Sequence, residues 1–300
     1  MVLTQRGKSM ESQANKLKEI VQQSSPQKRN RGTKFIAVTS GKGGVGKSTI
    51  SANMANILAK NGYKVALFDA DIGLANLDVL LNVRIHKNIL HVLKGECSLS
   101  EIIINVNKNL ILIPGESGDE ILKYSDQFIF ERFFDETAML DNLDFVIIDT
   151  GAGIGGHIQL FLEASDEVIV VTVPDPAAIT DAYATIKVTS KIKSSLHMVI
   201  NMSKNDKEAQ LIFEKIQKVA LANIGGDLEL DLIGKLPSDK LIARSIKQRT
   251  LFTNDSPNSG ASMDLKRIVN KLVYKLERKV LKDGEHRSFG SFFKRLIEQF

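Results

Sequence analysis

Short apolar segments alternate with helical patterns along most of the chain. The apolar segments lie at residues 35–40, 64–71, 109–114, 144–150, 167–173, 197–202 and 232–237. Most of them are continuously apolar, which is typical of strands that are buried on both faces. A helical pattern runs from Lys47 to about Gly62, directly after the first segment. We therefore expect an α/β fold, in which right-handed crossovers build a mostly parallel twisted sheet with helices on both faces.

The two ends of the chain follow a different pattern. Residues 11–22 have apolar positions at helical spacing, and the polar, basic stretch 23–34 indicates a linker. At the other end, a helical pattern covers 264–281 and Gly284 separates it from a last segment. The sequence thus predicts a short helix with a linker, one main domain and a C-terminal amphipathic helix, at residues 1–34, 35–283 and 284–300.

The last segment has one strongly apolar helical face. Its members are Phe289, Phe292, Phe293, Leu296, Ile297 and Phe300, with spacings of three and four residues. Lys294 and Arg295 lie at the polar boundary of this face. Bulky apolar residues beside basic ones are typical of a helix that lies in a membrane interface. The alternative is a terminal helix that packs on the domain.

Composition excludes several classes of protein. Of the 300 residues, 43% are hydrophobic and 25% are charged, as in globular domains. No apolar run approaches the roughly 20 residues that cross a bilayer, and the first residues do not resemble a signal peptide. We therefore expect a cytoplasmic protein. Its one cysteine, Cys97, excludes an internal disulfide.

Charge divides the chain in the same way as the apolar pattern. Residues 1–34 hold eight Lys/Arg and two acidic residues, and residues 266–300 hold ten and four. The remaining 22 basic and 29 acidic residues give 35–265 a net charge of −7, although the whole chain is +5. The basic ends therefore suit an anionic partner such as a membrane surface, nucleic acid or an acidic protein face.

A glycine-rich loop follows the first predicted strand and precedes a predicted helix. Residues 39–49, TSGKGGVGKST, fit the pattern G-x-x-x-x-G-K-[ST] of a P-loop. Such a loop surrounds phosphates with backbone N–H groups at a helix N-terminus. We expect Lys47 to reach the β- and γ-phosphates and Ser48 to ligate Mg²⁺. The predicted nucleotide-binding residues here are Gly41, Gly43, Gly44, Val45, Gly46, Lys47, Ser48 and Thr49.

Carboxylates stand at the ends of two other predicted strands. Asp69 and Asp71 alternate at the end of one strand, so they point to the same side of it, and Asp149 closes the strand FVIID. Phosphoryl transfer needs carboxylates beside Mg²⁺ and the attacking water. The sequence has no His–Cys metal cluster and no Ser–His–Asp order that would favour another chemistry.

The loop also carries Lys42, which a plain P-loop does not need. The run Lys42–Ser48, followed by Thr49, resembles the deviant Walker A motif of the MinD/ParA class of P-loop ATPases. That resemblance implies an ATP-dependent homodimer in which Lys42 contacts phosphates that the other subunit binds. Residues 68–78 resemble the D-x-D-x-G-L-x-N-L-D switch region of the class, so Asp71 is expected to orient the hydrolytic water and Asp69 to support the metal shell.

The same resemblance extends to later strand ends. It implies that Asp149 is the Walker B residue and holds Mg²⁺ through water. It also implies that Thr150, Gly151 and Gly153 form switch II. The residues that it implies in contact with adenine are Asn201, Pro237 and Asp239. Gly151 departs from the class, which commonly has Pro or Ala at this position.

The N-terminal helix resembles one branch of the class. Gln13, Ala14, Leu17 and Lys18 are similar to the D-Q-A-x-x-L-R motif of the FlhG (FleN, YlxH) branch, with Ser12 in place of Asp and Lys18 in place of Arg. In that branch the motif activates FlhF, a GTPase that places flagella. The C-terminal helix is similar to the membrane-targeting sequence of MinD.

Together these resemblances imply a slow ATPase switch that controls flagellar number and placement. It would be a monomer with ADP and, with ATP, a dimer on the anionic inner face of the cell membrane. Its implied partners are an FlhF-type GTPase, flagellar switch-complex proteins and a flagellar transcription activator. Two alternatives remain, a MinD-type selector of the division site and a ParA-like DNA scaffold, although the phenylalanines of the tail favour lipid over nucleic acid.

Overall fold

The computed structural model describes residues 32–71, 77–116, 120–121, 127–224, 227–280 and 288–297. The predicted partner-binding residues Gln13, Ala14, Leu17 and Lys18 lie outside these ranges, as does Phe300. The strands are β1 Lys34–Ser40, β2 Val65–Ala70, β3 Ile104–Asn107, β4 Leu110–Pro114, β5 Phe145–Ala152, β6 Glu167–Thr172, β7 Ser195–Ser203 and β8 Glu229–Pro237. The helices are α1 Lys47–Lys60, α2 Leu77–Leu81, α3 Ile89–Leu93, α4 Leu99–Ile102, α5 Gln127–Thr137, α6 Gly156–Ala164, α7 Pro176–Thr189, α8 Asp206–Ile224, α9 Lys240–Lys247, α10 Phe252–Asp255, α11 Gly260–Val280 and α12 Phe289–Ile297.

The strands form one sheet in the order β3-β4-β2-β5-β1-β6-β7-β8. Every neighbouring pair is parallel except β3 with β4, so the predicted α/β fold is confirmed. The sequence pattern did not predict β3, because this strand is only four residues long and alternates between half-buried and exposed positions. It lies at one edge of the sheet, where it pairs with β4 alone among the described strands.

Two apolar cores lie on the two faces of the sheet, because successive side chains of a strand point to opposite faces. In β1, Phe35 belongs to one core and Ile36 to the other, and both are fully buried. Apolar side chains of α1 and α11 belong to the core of Ile36, whereas those of α6 and α12 belong to the core of Phe35. This arrangement explains why the strands are continuously apolar.

The helix α12 is part of the core that contains Phe35. Phe289, Phe292, Phe293 and Leu296 are each 0% exposed, so the described side chains of the face that was predicted to meet a membrane are buried in this structure. The ring of Phe292 stacks on that of Phe35 with centroids 4.6 Å apart. The structure therefore has the alternative arrangement, a terminal helix packed on the domain, because aromatic side chains of the sheet and of α5 surround the same apolar face.

Polar contacts hold α12 in the same place. The guanidinium of Arg295 donates to the carbonyl oxygen of Ala164 at the end of α6, with the Nη2–O distance 2.9 Å. Residues 32–300 form one compact unit. Among the helices that the structure describes, none combines the length and the apolar content that crossing a membrane requires.

Candidate active site

The P-loop connects the central strand β1 to α1 at the carboxyl edge of the sheet. Gly44 and Gly46 have φ values of +80° and +89°, a backbone conformation that side chains other than glycine rarely adopt. A side chain at Gly46 would also collide with the amide of Asn201. The loop therefore needs these glycines to bring its N–H groups and the N-terminus of α1 around an anion.

Sheet order brings the predicted carboxylates to this loop. The strand β5 lies between β1 and β2, and Asp149 of β5 is the register partner of Asp69 of β2. Lys47 Nζ lies 3.1 Å from Asp149 Oδ1 and 3.7 Å from Asp71 Oδ2. The structure thus brings together Lys47, Asp69, Asp71 and Asp149, which are up to about a hundred residues apart in the sequence.

Three carboxylates around one ammonium give the site an excess of negative charge. Asp69 is 7% exposed, and burial, followed by the charge of Asp149, raises the pKa of its carboxyl to about 7. The N–H of Asp71 donates to Asp69 Oδ1 at 3.3 Å, and this contact opposes the rise in pKa. A bound cation would relieve the repulsion between these carboxylates.

The donor set fits Mg²⁺. A serine hydroxyl on the first turn of α1, Ser48, and the carboxylates of Asp69 and Asp149 supply the oxygen ligands that this ion prefers. Among the residues described, no three His, Cys, Asp or Glu side chains are arranged to hold a metal by themselves. Mg²⁺ at phosphate sites is commonly held by one or two protein ligands together with phosphate and water, so the set suits an ion that arrives with a nucleotide.

Lys42 pairs with a carboxylate of the same chain in this structure. Its Nζ lies 3.3 Å from Asp175 Oδ1, and both side chains are about half exposed. Asp175 caps α7 by accepting from the N–H of Ala178 at 2.9 Å. This hydrogen bond, followed by the one from Lys42, lowers the pKa of Asp175. Sequence reasoning missed Asp175, although Asp before Pro176 at the start of a helix is a common capping pattern.

The predicted switch II residues adjoin the P-loop. The hydroxyl of Thr150 donates to the carbonyl of Val38 at 3.1 Å, and the N–H of Gly153 donates to that of Ser40 at 2.8 Å. A Cβ at Gly151 would lie 3.2 Å from Asp71 Oδ1, so this glycine leaves space for the carboxylate. The end of β5, together with Gly153 directly after it, therefore touches both β1 and the residue that is expected to orient water.

Asn201 supports the loop directly. Its side chain is 6% exposed, its Nδ2 donates to the carbonyl of Val45 at 2.8 Å, and its Oδ1 accepts from the N–H of Met202 at 2.9 Å. Pro237 ends the neighbouring strand β8, and Asp239 caps α9 through the N–H of Leu241. The structure places these residues at adjacent strand ends, and their contact with adenine stays a prediction.

Ser51 is a second residue that sequence reasoning missed. It lies on α1 one turn after Lys47, it is fully buried, and its hydroxyl oxygen is 2.9 Å from Asp149 Oδ1. The sequence did offer one indication of Ser51, because it is a polar residue on the buried side of the helix that follows the P-loop. Its carboxylate partner became evident only from the sheet order.

Comparison with known proteins identifies the family of the chain. Residues 31–273 match the ParA family model, described as NUBPL iron-transfer P-loop NTPase. The flagellum site-determining protein YlxH of Helicobacter pylori is 49% identical over 96% of this chain and 99% of its own length. The antiactivator FleN of Pseudomonas aeruginosa is 33% identical over 79% of this chain and 85% of its own.

Solved structures agree with these matches. The MinC:MinD cell division protein complex of Aquifex aeolicus has a chain that superposes with a TM-score of 0.66 at 27% identity, over 81% of this chain and 96% of its own. MinD of Pyrococcus horikoshii with Mg-ADP superposes with a TM-score of 0.65, over 82% and 98%, and at 22% identity it supports the fold alone. Since the matches span most of both chains, the chain belongs to the MinD/ParA class of P-loop ATPases and, within it, to the FlhG (FleN/YlxH) branch.

Proposed function

We propose that this ATPase is a nucleotide-driven switch that sets the number and position of flagella. One observation carries the proposal: a complete P-loop site that includes Lys42 occurs in a chain that is 49% identical to a flagellum site-determining protein. Turnover is slow, because a switch must persist in its ATP state long enough to act. Hydrolysis returns the protein to its resting state.

The residues of the site have distinct roles in this function. Backbone N–H groups of the P-loop and the ammonium of Lys47 hold the phosphates, and Asp71 orients the attacking water. Ser48 and the carboxylates of Asp69 and Asp149 would hold Mg²⁺, which supplies positive charge to the phosphate oxygens when it is bound. Lys47 must therefore exchange its present carboxylate partners for phosphate.

Dimerisation is the step that ATP controls. Lys42 leaves Asp175 and contacts the phosphates that the partner subunit binds, so the dimer forms only with ATP. We expect light scattering to detect a dimer of the Asp71→Ala variant with ATP and Mg²⁺. Adding Lys42→Ala to that variant should leave a monomer. A monomer in both cases, or a dimer in both, contradicts the proposed switch.

Membrane binding uses α12 in a different position. Four of its apolar side chains are buried, so they can reach lipid only after the helix leaves its core position. We expect co-sedimentation with vesicles containing an anionic lipid to require ATP, and hydrogen exchange across 289–297 to rise in the ATP state. Lys294→Glu, an exposed change that spares the core, should weaken sedimentation, whereas Lys187→Glu on α7 should not. Sedimentation that is independent of ATP and of Lys294 contradicts this role.

The N-terminal segment acts on an FlhF-type GTPase. A peptide of residues 1–34 should stimulate the GTPase of the cognate FlhF several-fold, and the same peptide with Gln13→Ala and Leu17→Ala should not. No stimulation by the peptide or by the ATP-bound full chain contradicts this partner while leaving the ATPase assignment intact.

A further inference from the structure

The Walker B carboxylate has a donor that no motif predicts. Asp149 is 1% exposed, and its Oδ1 accepts from two described groups, Lys47 Nζ at 3.1 Å and Ser51 Oγ at 2.9 Å. Both donors come from α1, and they reach the same oxygen from consecutive turns of the helix. The carboxylate is therefore fixed from the side of α1.

The single proton of the Ser51 hydroxyl has two possible acceptors. The carbonyl of Lys47, one turn back on the helix, is 3.1 Å away and is neutral, whereas Asp149 Oδ1 is closer and charged. A hydrogen bond to a carboxylate is about twice as strong as one between neutral groups, so the proton favours Asp149. A hydrogen bond to the carbonyl of Lys47 alone would not explain why a serine is buried at this position of the helix.

Nucleotide binding changes the balance between the two donors. Lys47 turns to the phosphates in the proposed function, on which this inference rests, and Asp149 then keeps Ser51 as its described donor. Asp69 lies beside Asp149 in the sheet register, and two neighbouring carboxylates repel each other, so Asp149 needs a contact that holds it in place. The hydroxyl of Ser51, which donates to Asp149 Oδ1, provides this contact and fixes the orientation of the carboxylate.

We propose that Ser51 is a positioning residue for Mg²⁺, because its hydroxyl keeps the Asp149 carboxylate in one orientation once Lys47 has moved to the nucleotide. Ser51 does not itself touch the ion or the phosphates. Residues that orient metal-binding groups in this way commonly change metal affinity by roughly 10- to 100-fold when they are substituted.

The test measures the affinity of the full chain for fluorescent ADP over a series of free Mg²⁺ concentrations. In Ser51→Ala we expect the half-saturating Mg²⁺ concentration to rise by about tenfold, while the affinity for ADP in EDTA stays that of the wild type. Ser51→Thr, which retains the hydroxyl, should restore much of the Mg²⁺ dependence. Thermal melting of each variant without nucleotide shows whether its fold is intact.

Ser165→Ala is the matched control. Ser165 is also a buried serine whose hydroxyl donates to a carbonyl four residues back, that of Phe161 at 2.6 Å, and within the described ranges this hydroxyl bonds to no carboxylate. It should leave the Mg²⁺ titration unchanged. A Ser51→Ala titration that matches the wild type, or an equal loss of affinity with and without Mg²⁺, overturns the inference. A wild type that binds no nucleotide overturns the proposed function and this inference with it.

Discussion

The carboxyl edge of the sheet and the helix α12 both carry predicted functions, but they differ in how the structure uses their residues. At the carboxyl edge, residues from three strands and a loop converge, and Lys47 contacts both Asp149 and Asp71. In α12, the four described side chains that were predicted to face lipid, Phe289, Phe292, Phe293 and Leu296, fill a core and are fully buried. One region has the chemistry that its motifs predict, whereas the other has its apolar face turned inward.

The difference follows from what each pattern specifies. The P-loop pattern specifies a backbone: glycines with positive φ and a helix N-terminus, which can serve little except anion binding. The spacing of phenylalanines in α12 specifies only that one face avoids water. A protein core and a lipid interface satisfy that requirement equally well, so amphipathicity alone does not distinguish them.

The largest effect is expected for Phe292→Ala. The ring of Phe292 stacks on Phe35 at the centre of the sheet, and removing a buried phenylalanine costs about 3–5 kcal/mol. Urea unfolding without nucleotide should therefore show a loss of this size. Lys294 is an exposed residue of the same helix, and Lys294→Ala should change stability by less than about 0.5 kcal/mol. Equal, small effects for both variants would mean that α12 is not docked in solution.

At the carboxyl edge of the sheet, Lys47→Ala should reduce ADP affinity at least 100-fold, or about 2.7 kcal/mol. The phosphates would lose the ammonium that binds them, whereas the three carboxylates nearby would remain. Titration calorimetry with Mg²⁺ measures the change. Lys60 lies at the far end of the same helix and donates to the carbonyl of Thr253, so Lys60→Ala should bind as the wild type does. Comparable losses in both variants would indicate damage to α1 rather than to the phosphate site.

Asp69 makes the stability of this edge depend on pH. Its pKa is raised in the folded protein to about 7, so the folded state binds this proton more tightly than the unfolded state does. The associated stability is present below the ordinary carboxyl pKa and is lost as the pH rises toward 7. Without nucleotide or metal, Asp69→Asn should thus be more stable than the wild type at pH 8, by on the order of 2 kcal/mol.

Thermal unfolding in EDTA from pH 4 to 8 tests this expectation. The two proteins should be closest in stability at the acidic end and should diverge as the pH rises. Asp264→Asn is the control, because Asp264 pairs with Lys235 of β8, which lies three strands away from β1 in the sheet. A constant difference between Asp69→Asn and the wild type across the range would show that Asp69 does not titrate there.

Much of the carboxyl edge could be predicted because strand-end residues meet wherever strands are parallel neighbours. The sequence indicated Asp69 and Asp149 as strand ends, although their direct pairing depends on β5 lying next to β2, which no local pattern specifies. Ser51 and Asp175 were missed for the same reason: each acts through a residue about 100 or more positions away. The short antiparallel strand β3 was missed because its few residues have no continuous apolar pattern.

For Asn201, the predicted contact differs from the contact in the structure, and experiments can distinguish the two. The resemblance implies that it contacts adenine, whereas in the structure its amide donates to Val45 of the P-loop. Loss of this hydrogen bond in Asn201→Ala should lower the stability of the nucleotide-free protein by about 1 kcal/mol, measured by urea unfolding. The exposed Asn223 also donates its amide to a backbone carbonyl, that of Val219, and Asn223→Ala should have a smaller effect.

Nucleotide affinity then tells whether support of the loop is its whole role. If Asn201 only supports the loop, the variant loses affinity for ATP and GTP by the same factor, since both have the same phosphates. If it also contacts the base, the ratio of the two affinities falls toward one. We expect both effects, because Nδ2 donates to the loop while Oδ1, which accepts from the N–H of Met202, has a second lone pair that can accept from the exocyclic amine of adenine, where guanine has an acceptor. An unchanged stability together with an unchanged ratio would remove Asn201 from the site altogether.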